Sequence, residues 1–205
     1  MADPRYLDIQ DELMTGDLVL FEGSSNTSDL IKRFTFTRWS HVGMVLRVPG
    51  YEQPFVWESL RTAAIPDAMD GQMKSGVQLL DLRQRVTHCT DPMAVRRLNK
   101  HVSPVMHAAA LGFRELVRNR PYEQNLSELV FSAYDGPMGD NEEDLSSIFC
   151  SELIAEAYQR MGLLTCNTQG GEASNEYTPA FFAGPDTLPL LGDYQLGPVQ
   201  VIHLK

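Results

Sequence analysis

A cysteine near the start of a predicted amphipathic helix is the first feature of this chain that could do chemistry. Residues 146–164 read SSIFCSELIAEAYQRMGLL, and Cys150 lies at the front of that helix. The partial positive charge of a helix N-terminus stabilises a thiolate, which is the nucleophilic form of cysteine. A buried free cysteine is also a common small apolar core residue. The stretch by itself leaves both interpretations open, a nucleophile and a packed side chain.

A cysteine nucleophile needs a base to accept its proton, and His41 is the histidine best placed for that role. It opens an apolar segment, HVGMVLRV, directly after Trp39 and Ser40. A strand there would hold the backbone of a base rigidly. A single histidine at a strand start is more often structural than catalytic. At this point His41 is therefore either a structural residue or a catalytic base. The remaining histidines have contexts typical of surface, helix-face or packed positions: His88, His101, His107 and His203.

Glu58 is the candidate for orienting that base. Residues 54–60 read PFVWESL, and the alternation of a strand places Glu58 on the same face as Val56 and Leu60. A half-buried carboxylate needs a partner, and a histidinium on the neighbouring strand would supply one. The alternative is a glutamate on an edge strand that bends into solvent.

The elements that must position these residues are mostly strands followed by helices. Apolar and alternating runs predict strands at residues 17–22, 41–48, 54–60, 76–82, 93–98 and 199–204. Helical spacing and capping signals predict helices at residues 29–36, 104–118 and 150–161, with Gly162 as a stop, and one helical turn at residues 178–183. This order predicts an α+β fold with an antiparallel sheet.

No repeat or long linker divides the chain, so residues 1–205 are predicted to form a single domain. The acidic segment 135–147 is predicted to be a loop inserted into that domain. By its composition this segment is a solvated surface loop, since it is rich in Asp, Glu and Gly.

Charge and cysteine usage exclude several function classes. Lys and Arg total 17 against 27 Asp and Glu, a formal net charge of −10, which argues against a nucleic-acid partner and against broad adhesion to an anionic membrane. Three cysteines without a C-x-x-C pair predict neither a disulfide framework nor a zinc site, so neither metal nor cofactor is expected. No signal-peptide core and no run near ~20 apolar residues is visible. A cytoplasmic protein without an integral membrane segment is the expectation.

The fragments taken together resemble the circularly permuted papain-like enzymes of the NlpC superfamily, especially the YaeF/YiiX-like group. The matching motifs follow the family's order from about residue 15 to residue 183 and so cover most of the chain. They are Thr15-Gly16-Asp17, Ser40-His41-Val42-Gly43, Glu58 in VWES, Pro121-Tyr122-Glu123, Cys150-Ser151-Glu152-Leu153 and Thr178-Pro179. Glu123 stands where the family usually has an aspartate.

The resemblance implies a permuted papain-like fold, in which an antiparallel sheet or barrel packs against helices and the nucleophile lies at a helix N-terminus. It implies Cys150 as the nucleophile, His41 as the base and Glu58 as the residue that orients His41. On weaker grounds it implies that Tyr122 and Ser151 frame the oxyanion hole or the substrate. The implied activity is a cysteine-dependent hydrolase that cleaves an amide or ester bond through a thioester, with a peptide-like amide or a lipid acyl group as substrate.

Two other functions stay open. One is an acyltransferase resembling lecithin:retinol acyltransferase, which passes an acyl group to an amine or alcohol. The other is a catalytically silent module that binds a lipid or a peptide, although such a module need not retain a nucleophile and its base. Five aromatic residues either line an apolar cleft for an acyl chain or belong to the core: Phe34, Phe36, Trp39, Phe181 and Phe182. The oligomeric state is not predicted.

Overall fold

A computed structural model of the chain describes residues 5–22, 37–122, 149–184 and 188–203. Its centre is a six-stranded antiparallel sheet. The strands are β1 Leu18–Phe21, β2 His41–Leu46, β3 Phe55–Leu60, β4 Gly76–Asp81, β5 Met93–Arg96 and β6 Gln200–Ile202. They lie side by side in the order β4-β3-β2-β1-β5-β6. The predicted α+β class with an antiparallel sheet is confirmed.

Five α-helices accompany these strands within the described residues: α1 Tyr6–Ile9, α2 Leu82–His88, α3 Pro104–Val117, α4 Cys150–Met161 and α5 Pro179–Ala183. None of them is long and apolar enough to cross a membrane. The helix predicted at residues 29–36 and the acidic loop predicted at residues 135–147 lie outside the described residues.

Helix α2 was not predicted, because the apolar run at its start reads as a continuation of a strand. The strand ends instead at Asp81, whose carboxylate accepts a hydrogen bond from the Gln84 N–H at 2.8 Å. This is an N-cap, which satisfies an amide that has no partner within the helix and so favours a helix start.

The sheet carries a hydrophobic core on each face. Strand β1 shows the division, because Leu18 and Leu20 belong to the core under α3, α4 and α5, whereas Val19 and Phe21 belong to the core under α1 and α2. All four residues of β1 are buried. Every residue of its sequence LVLF is apolar because helices cover both faces of the sheet at this strand. A strand with one face in water would alternate apolar with polar residues.

Helix α4 packs on the sheet, is capped at both of its ends and is bonded to the start of β1 from its middle. It contacts β2 and β3. At its start the Glu152 carboxylate accepts a hydrogen bond from the Phe149 N–H at 3.1 Å, and at its end Gly162 takes the left-handed conformation with φ 75°. Between these ends, the buried Tyr158 hydroxyl donates to the Gly16 carbonyl oxygen at 2.5 Å.

The Thr15-Gly16-Asp17 motif therefore has a structural role at the start of β1. Besides the bond from Tyr158 to Gly16, the buried Asp17 carboxylate accepts hydrogen bonds from the Met14 N–H at 2.8 Å and the Leu98 N–H at 2.9 Å. The motif joins helix α4, the segment before β1 and the segment after β5, and it thereby sets the position of α4 along the sheet.

Replacing Tyr158 with Phe tests this anchor. The substitution leaves the buried Gly16 carbonyl without its donor, so we expect the free energy of unfolding to fall by about 1–3 kcal/mol in urea titrations. Tyr194→Phe is the matched control, because the Tyr194 hydroxyl also donates to a backbone carbonyl, that of His101 at 3.1 Å, but at an exposed position. A loss of about 0.5 kcal/mol or less is expected there. Equal losses in the two variants would contradict the anchoring role of Tyr158.

Candidate active site

The structure brings His41, Glu58 and Cys150 together at one end of the central strands. His41 is the first residue of β2, Glu58 lies in β3 and Cys150 is the first residue of α4. The His41 Nε2 atom is 2.6 Å from the Glu58 Oε2 atom, and the His41 ring lies close enough to the Cys150 side chain for each group to shift the pKa of the other. Because Nε2 is engaged by the carboxylate, Nδ1 is the ring nitrogen left for the sulfur.

The Cys150 sulfur lies where a helix start meets the end of a strand ladder. The backbone N–H groups of Val42 and Ser151 lie near enough to lower the pKa of the Cys150 thiol. The ladder between β2 and β3 begins at the pair Met44–Trp57 and does not include Val42, so the Val42 amide is available to the sulfur. Backbone donors and a positive helix end both favour the thiolate over the thiol.

The Glu58 carboxylate is wholly buried and uses one oxygen for each of two cationic partners. Its Oε2 atom contacts His41, and its Oε1 atom accepts a hydrogen bond from Arg85 Nε at 2.8 Å. The Arg85 guanidinium carbon also lies 4.2 Å from the ring centroid of Phe21, and that ring centroid is 5.2 Å from the His41 ring centroid. The Phe21 ring thus packs against both partners of Glu58.

Arg85 is the site residue that the sequence prediction missed, because helix α2 was missed. The sequence did contain a pattern that indicates a buried arginine at position 85. The N-cap Asp81 is followed by Leu82, Arg85 and Val86 at helical spacing, and these three are the buried residues of α2. An arginine on the buried face of a helix needs an anionic partner, and Glu58 was the carboxylate already predicted to be half-buried.

The charges of this site shift one another's pKa values. Burial alone raises the pKa of the Cys150 thiol, but the His41 charge and the two backbone donors outweigh it and leave that pKa below its ordinary value. Burial lowers the pKa of His41, but Cys150 and Glu58 outweigh it and raise that pKa to about 9. Burial raises the pKa of Glu58, but Arg85 and His41 lower it to about 2. These shifts favour the charged form of each group: the Cys150 thiolate, the His41 imidazolium and the Glu58 carboxylate.

Gly43 leaves the space through which Glu58 reaches His41. A Cβ atom at Gly43 would lie 2.7 Å from Val56 Cγ2 and 3.2 Å from Glu58 Cβ, closer than side chains normally pack. The Glu58 side chain therefore passes beside Gly43. Its carboxylate contacts the ring of His41, which lies two residues before Gly43 in β2. The glycine of the Ser40-His41-Val42-Gly43 motif is explained by this close approach.

Tyr122 contacts the residue before Cys150, and Ser151 is the residue after it. The half-buried Tyr122 ring packs edge-on against Phe149, with ring centroids 5.7 Å apart. The Ser151 side chain is wholly buried, and its hydroxyl oxygen has no hydrogen-bond partner among the described residues. It is the backbone N–H of Ser151, rather than its hydroxyl, that contacts the sulfur. The framing roles of Tyr122 and Ser151 stay predictions.

The aromatic residues considered for an acyl cleft divide between core and surface. Trp39 and Phe182 are buried in the core, so for these two the core interpretation is correct, and Phe181 is 38% exposed. Phe34 and Phe36 lie outside the described residues. A cavity of about 530 Å³ lies beside Asp17, at the end of β1 away from Phe21 and His41, and the three predicted site residues are not part of its lining.

Gly43→Ala tests the close approach of β3 to β2. We expect the added methyl group to lower the free energy of unfolding by about 1–3 kcal/mol, because Val56 and Glu58 must move to admit it. Gly112→Ala, in α3, is the matched control, since a Cβ there meets no atom within 4 Å, and alanine is the better helix former by roughly 0.5–1 kcal/mol. If Gly43→Ala unfolds at the wild-type urea concentration, Gly43 has no steric role.

The lowered pKa of Cys150 predicts a shifted pH dependence of alkylation. Iodoacetamide reacts with the thiolate, so Cys150 should reach half of its maximal rate well below the pH of about 8.5 typical of a free cysteine. His41→Asn removes the imidazolium and should raise that midpoint by about 1–3 pH units. Mass spectrometry of the labelled peptides measures the rate at Cys150, and the urea-unfolded chain is the control. The same midpoint in the folded and unfolded chains would contradict the ion pair.

Comparison with known proteins finds a similarity of fold among solved structures. No family model matches the sequence, and no curated protein matches it. Among solved structures, the chain is similar to the metalloprotein YiiX from Escherichia coli O157:H7, with a TM-score of 0.52 and 21% sequence identity. The match covers 73% of this chain and 66% of the YiiX chain, just under two thirds of the length of that protein.

The residues described in this chain do not fit a metal ion. Within residues 5–22, 37–122, 149–184 and 188–203, no group of three or more His, Cys, Asp or Glu side chains is arranged to hold one. At the site itself, both oxygens of Glu58 are already engaged, one by His41 and one by Arg85. The donor set is therefore an ion-pair chain rather than a ligand set.

At 21% identity the similarity to YiiX concerns the fold. It agrees with the YiiX-like motifs of the sequence, which occur in the order that the resemblance requires. Within the part of the chain that the structure describes, the protein has the α+β fold of YiiX, with Cys150, His41 and Glu58 assembled at one end of its sheet.

Proposed function

We propose that the protein is a cysteine-dependent hydrolase with a permuted papain-like fold, which cleaves an amide or ester bond through a thioester intermediate. One observation carries the proposal: a thiol at the start of α4 lies close enough to an imidazole for each to shift the pKa of the other, and a ring nitrogen of that imidazole is 2.6 Å from a buried carboxylate. A nucleophile, a base and a group that orients the base are the parts that covalent acyl transfer needs.

The order of these residues along the chain supports the permuted arrangement. In papain-like enzymes the cysteine comes early and the histidine follows far downstream. Here His41 comes early and Cys150 late, while the cysteine still begins a helix and the histidine still belongs to a strand. A permuted chain would keep the site and exchange the order in which its parts are connected.

The first half of the proposed reaction uses the ion pair directly. The Cys150 thiolate attacks the carbonyl carbon, so a carbon–sulfur bond forms and the carbonyl π electrons move to the oxygen. The tetrahedral intermediate collapses, the carbon–nitrogen or carbon–oxygen bond breaks, and the His41 imidazolium gives its proton to the departing amine or alcohol. A thioester on Cys150 and a neutral His41 remain.

The second half restores the starting charges. Neutral His41 accepts a proton from a water molecule while the water oxygen attacks the thioester carbon. Collapse of the second tetrahedral intermediate expels the Cys150 thiolate and releases the carboxylic acid. Glu58 keeps the imidazole oriented throughout and stabilises its charged form, which is the function of the third member of such triads.

The oxyanion of both intermediates needs hydrogen-bond donors near the sulfur. The backbone N–H of Cys150 is a first-turn amide, which has no acceptor within its own helix. We assign it as one donor and Tyr122 as the second, because the Tyr122 ring packs against Phe149, the residue before the nucleophile. The proposed substrate is a peptide-like amide or a lipid acyl group, and the single domain and the cytoplasmic location remain predictions from the sequence.

Acyl-enzyme trapping tests the proposal. With 4-nitrophenyl acetate and 4-nitrophenyl octanoate we expect a burst of nitrophenolate and an acyl adduct on Cys150, located by mass spectrometry of the peptides. Cys150→Ala should reduce turnover by about a thousandfold or more, whereas Cys166→Ala, the matched control, should not. If no adduct forms on Cys150, or if turnover is unchanged in Cys150→Ala, only a binding module remains.

The pH dependence of turnover provides a second test. Turnover needs the thiolate and the imidazolium together, so the rate should rise through the lowered pKa of Cys150 and fall as His41 loses its proton at about pH 9. A bell-shaped profile of kcat/KM for 4-nitrophenyl acetate is the expected result. A rate that continues to rise above pH 9 would show a free thiolate acting alone.

A further inference from the structure

The third residue of the site, Glu58, is a buried carboxylate that needs two cations. Its side chain has no exposed surface, and removing one partner of a buried charge leaves the other uncompensated, which is costly in a low-dielectric interior. His41 supplies one cation only while it is protonated, and in the proposed reaction it becomes neutral in each cycle. The permanent cation of the pair is Arg85, since a guanidinium does not lose its proton in proteins.

Arg85 is itself held firmly in place. Its side chain is 10% exposed, its guanidinium carbon lies 4.2 Å from the Phe21 ring centroid, and it is hydrogen-bonded to the Cys89 side chain. Helix α2 follows β4 without a loop, and β4 is the strand paired to β3. The cation is therefore built into the element next to the carboxylate.

Resting on the proposed function, we propose that Arg85 is a positioning residue of this site: through Glu58 it keeps a charged carboxylate directed at His41 and so supports the Cys150 thiolate, which it does not touch. The sequence motifs of the site include Glu58 but not Arg85. The proposal adds a fourth residue, from a different helix, to the set on which the chemistry depends.

The charged groups around Glu58 define what the loss of Arg85 would do. Glu58 faces His41 from β2 and Arg85 from α2, and its cross-strand neighbour on β4 is the uncharged Gln78; Arg85 also faces Cys89. Without Arg85 the interaction that most lowers the pKa of Glu58 is lost. Glu58 then binds a proton at higher pH, His41 loses its carboxylate partner, and the thiolate of Cys150 is less stable at that pH.

The test is the acid-side midpoint of Cys150 alkylation by iodoacetamide in four variants: Arg85→Met, Arg85→Lys, Glu58→Gln and the double variant E58Q/R85M. An opposite charge in contact shifts a carboxyl pKa by about 1–3 units. That shift belongs to Glu58, and Cys150 is affected only through His41. We therefore expect Arg85→Met to raise the Cys150 midpoint by about half a pH unit, which is about a threefold slower alkylation on the acid side. Arg85→Lys should stay nearer the wild-type midpoint, because it keeps the charge.

The double variant separates positioning from general damage. Arg85→Met should shift the midpoint in the wild-type background and should have no further effect once Glu58→Gln is present. E58Q/R85M has no unpaired buried charge, so it also provides a measurement if Arg85→Met alone does not fold. Thermal melts check folding for each variant.

Arg114→Met is the matched control. The Arg114 side chain is likewise 10% exposed and ion-paired, with Glu115, but it belongs to α3 and has no contact with the Glu58 carboxylate. It should lower stability without moving the Cys150 midpoint.

The outcomes distinguish this inference from the proposed function. If wild-type Cys150 is alkylated like the unfolded chain, the proposed function fails. If the wild-type midpoint is low but Arg85→Met leaves it in place, or shifts it equally with and without Glu58, the role of Arg85 is overturned and the proposed function stands.

Discussion

The structure at this site depends on one buried carboxylate. Glu58 has no exposed surface, and its two oxygens are held by His41 on one side and Arg85 on the other. A carboxylate buried in this way is stable only while both partners are present. It fixes the ring of His41 from the side opposite the sulfur, and it joins four side chains from four elements, β2, β3, α2 and α4, into one chain of alternating charges.

Several local features of the fold make that chain of charges possible. The pairing of β2 with β3 begins only at Met44–Trp57, which leaves the Val42 amide to the Cys150 sulfur. Gly43 has no side chain, so Glu58 can approach β2 closely. Asp81 is both the last residue of β4 and the N-cap of α2. Helix α2 therefore follows β4 directly, and Arg85 lies over the face of the sheet that α1 and α2 cover. Tyr158, bonded to Gly16, holds the helix that carries the nucleophile.

The sequence predicted the parts that obey short-range rules. Alternation in PFVWESL placed Glu58 with Val56 rather than with Trp57, and the two cores divide in that way. Helical spacing after Cys150 and the stop at Gly162 match α4. Helix α2 was missed because its first residue, Leu82, is apolar and continues the period of the preceding strand. The capping carboxylate of Asp81, a weaker signal than the apolar run, decided the local structure.

The sequence by itself determined which residues are able to do chemistry, because side-chain type, helix position and strand alternation are local properties, and it determined the α+β class with an antiparallel sheet. Only the tertiary structure decided that His41 and Cys150, 109 positions apart in the numbering, come together at one site, and that Arg85 completes the pairing of Glu58. The reason is physical. Contacts between distant segments depend on how the two faces of the sheet are covered, and no local period in the chain encodes which helix will lie over which strand.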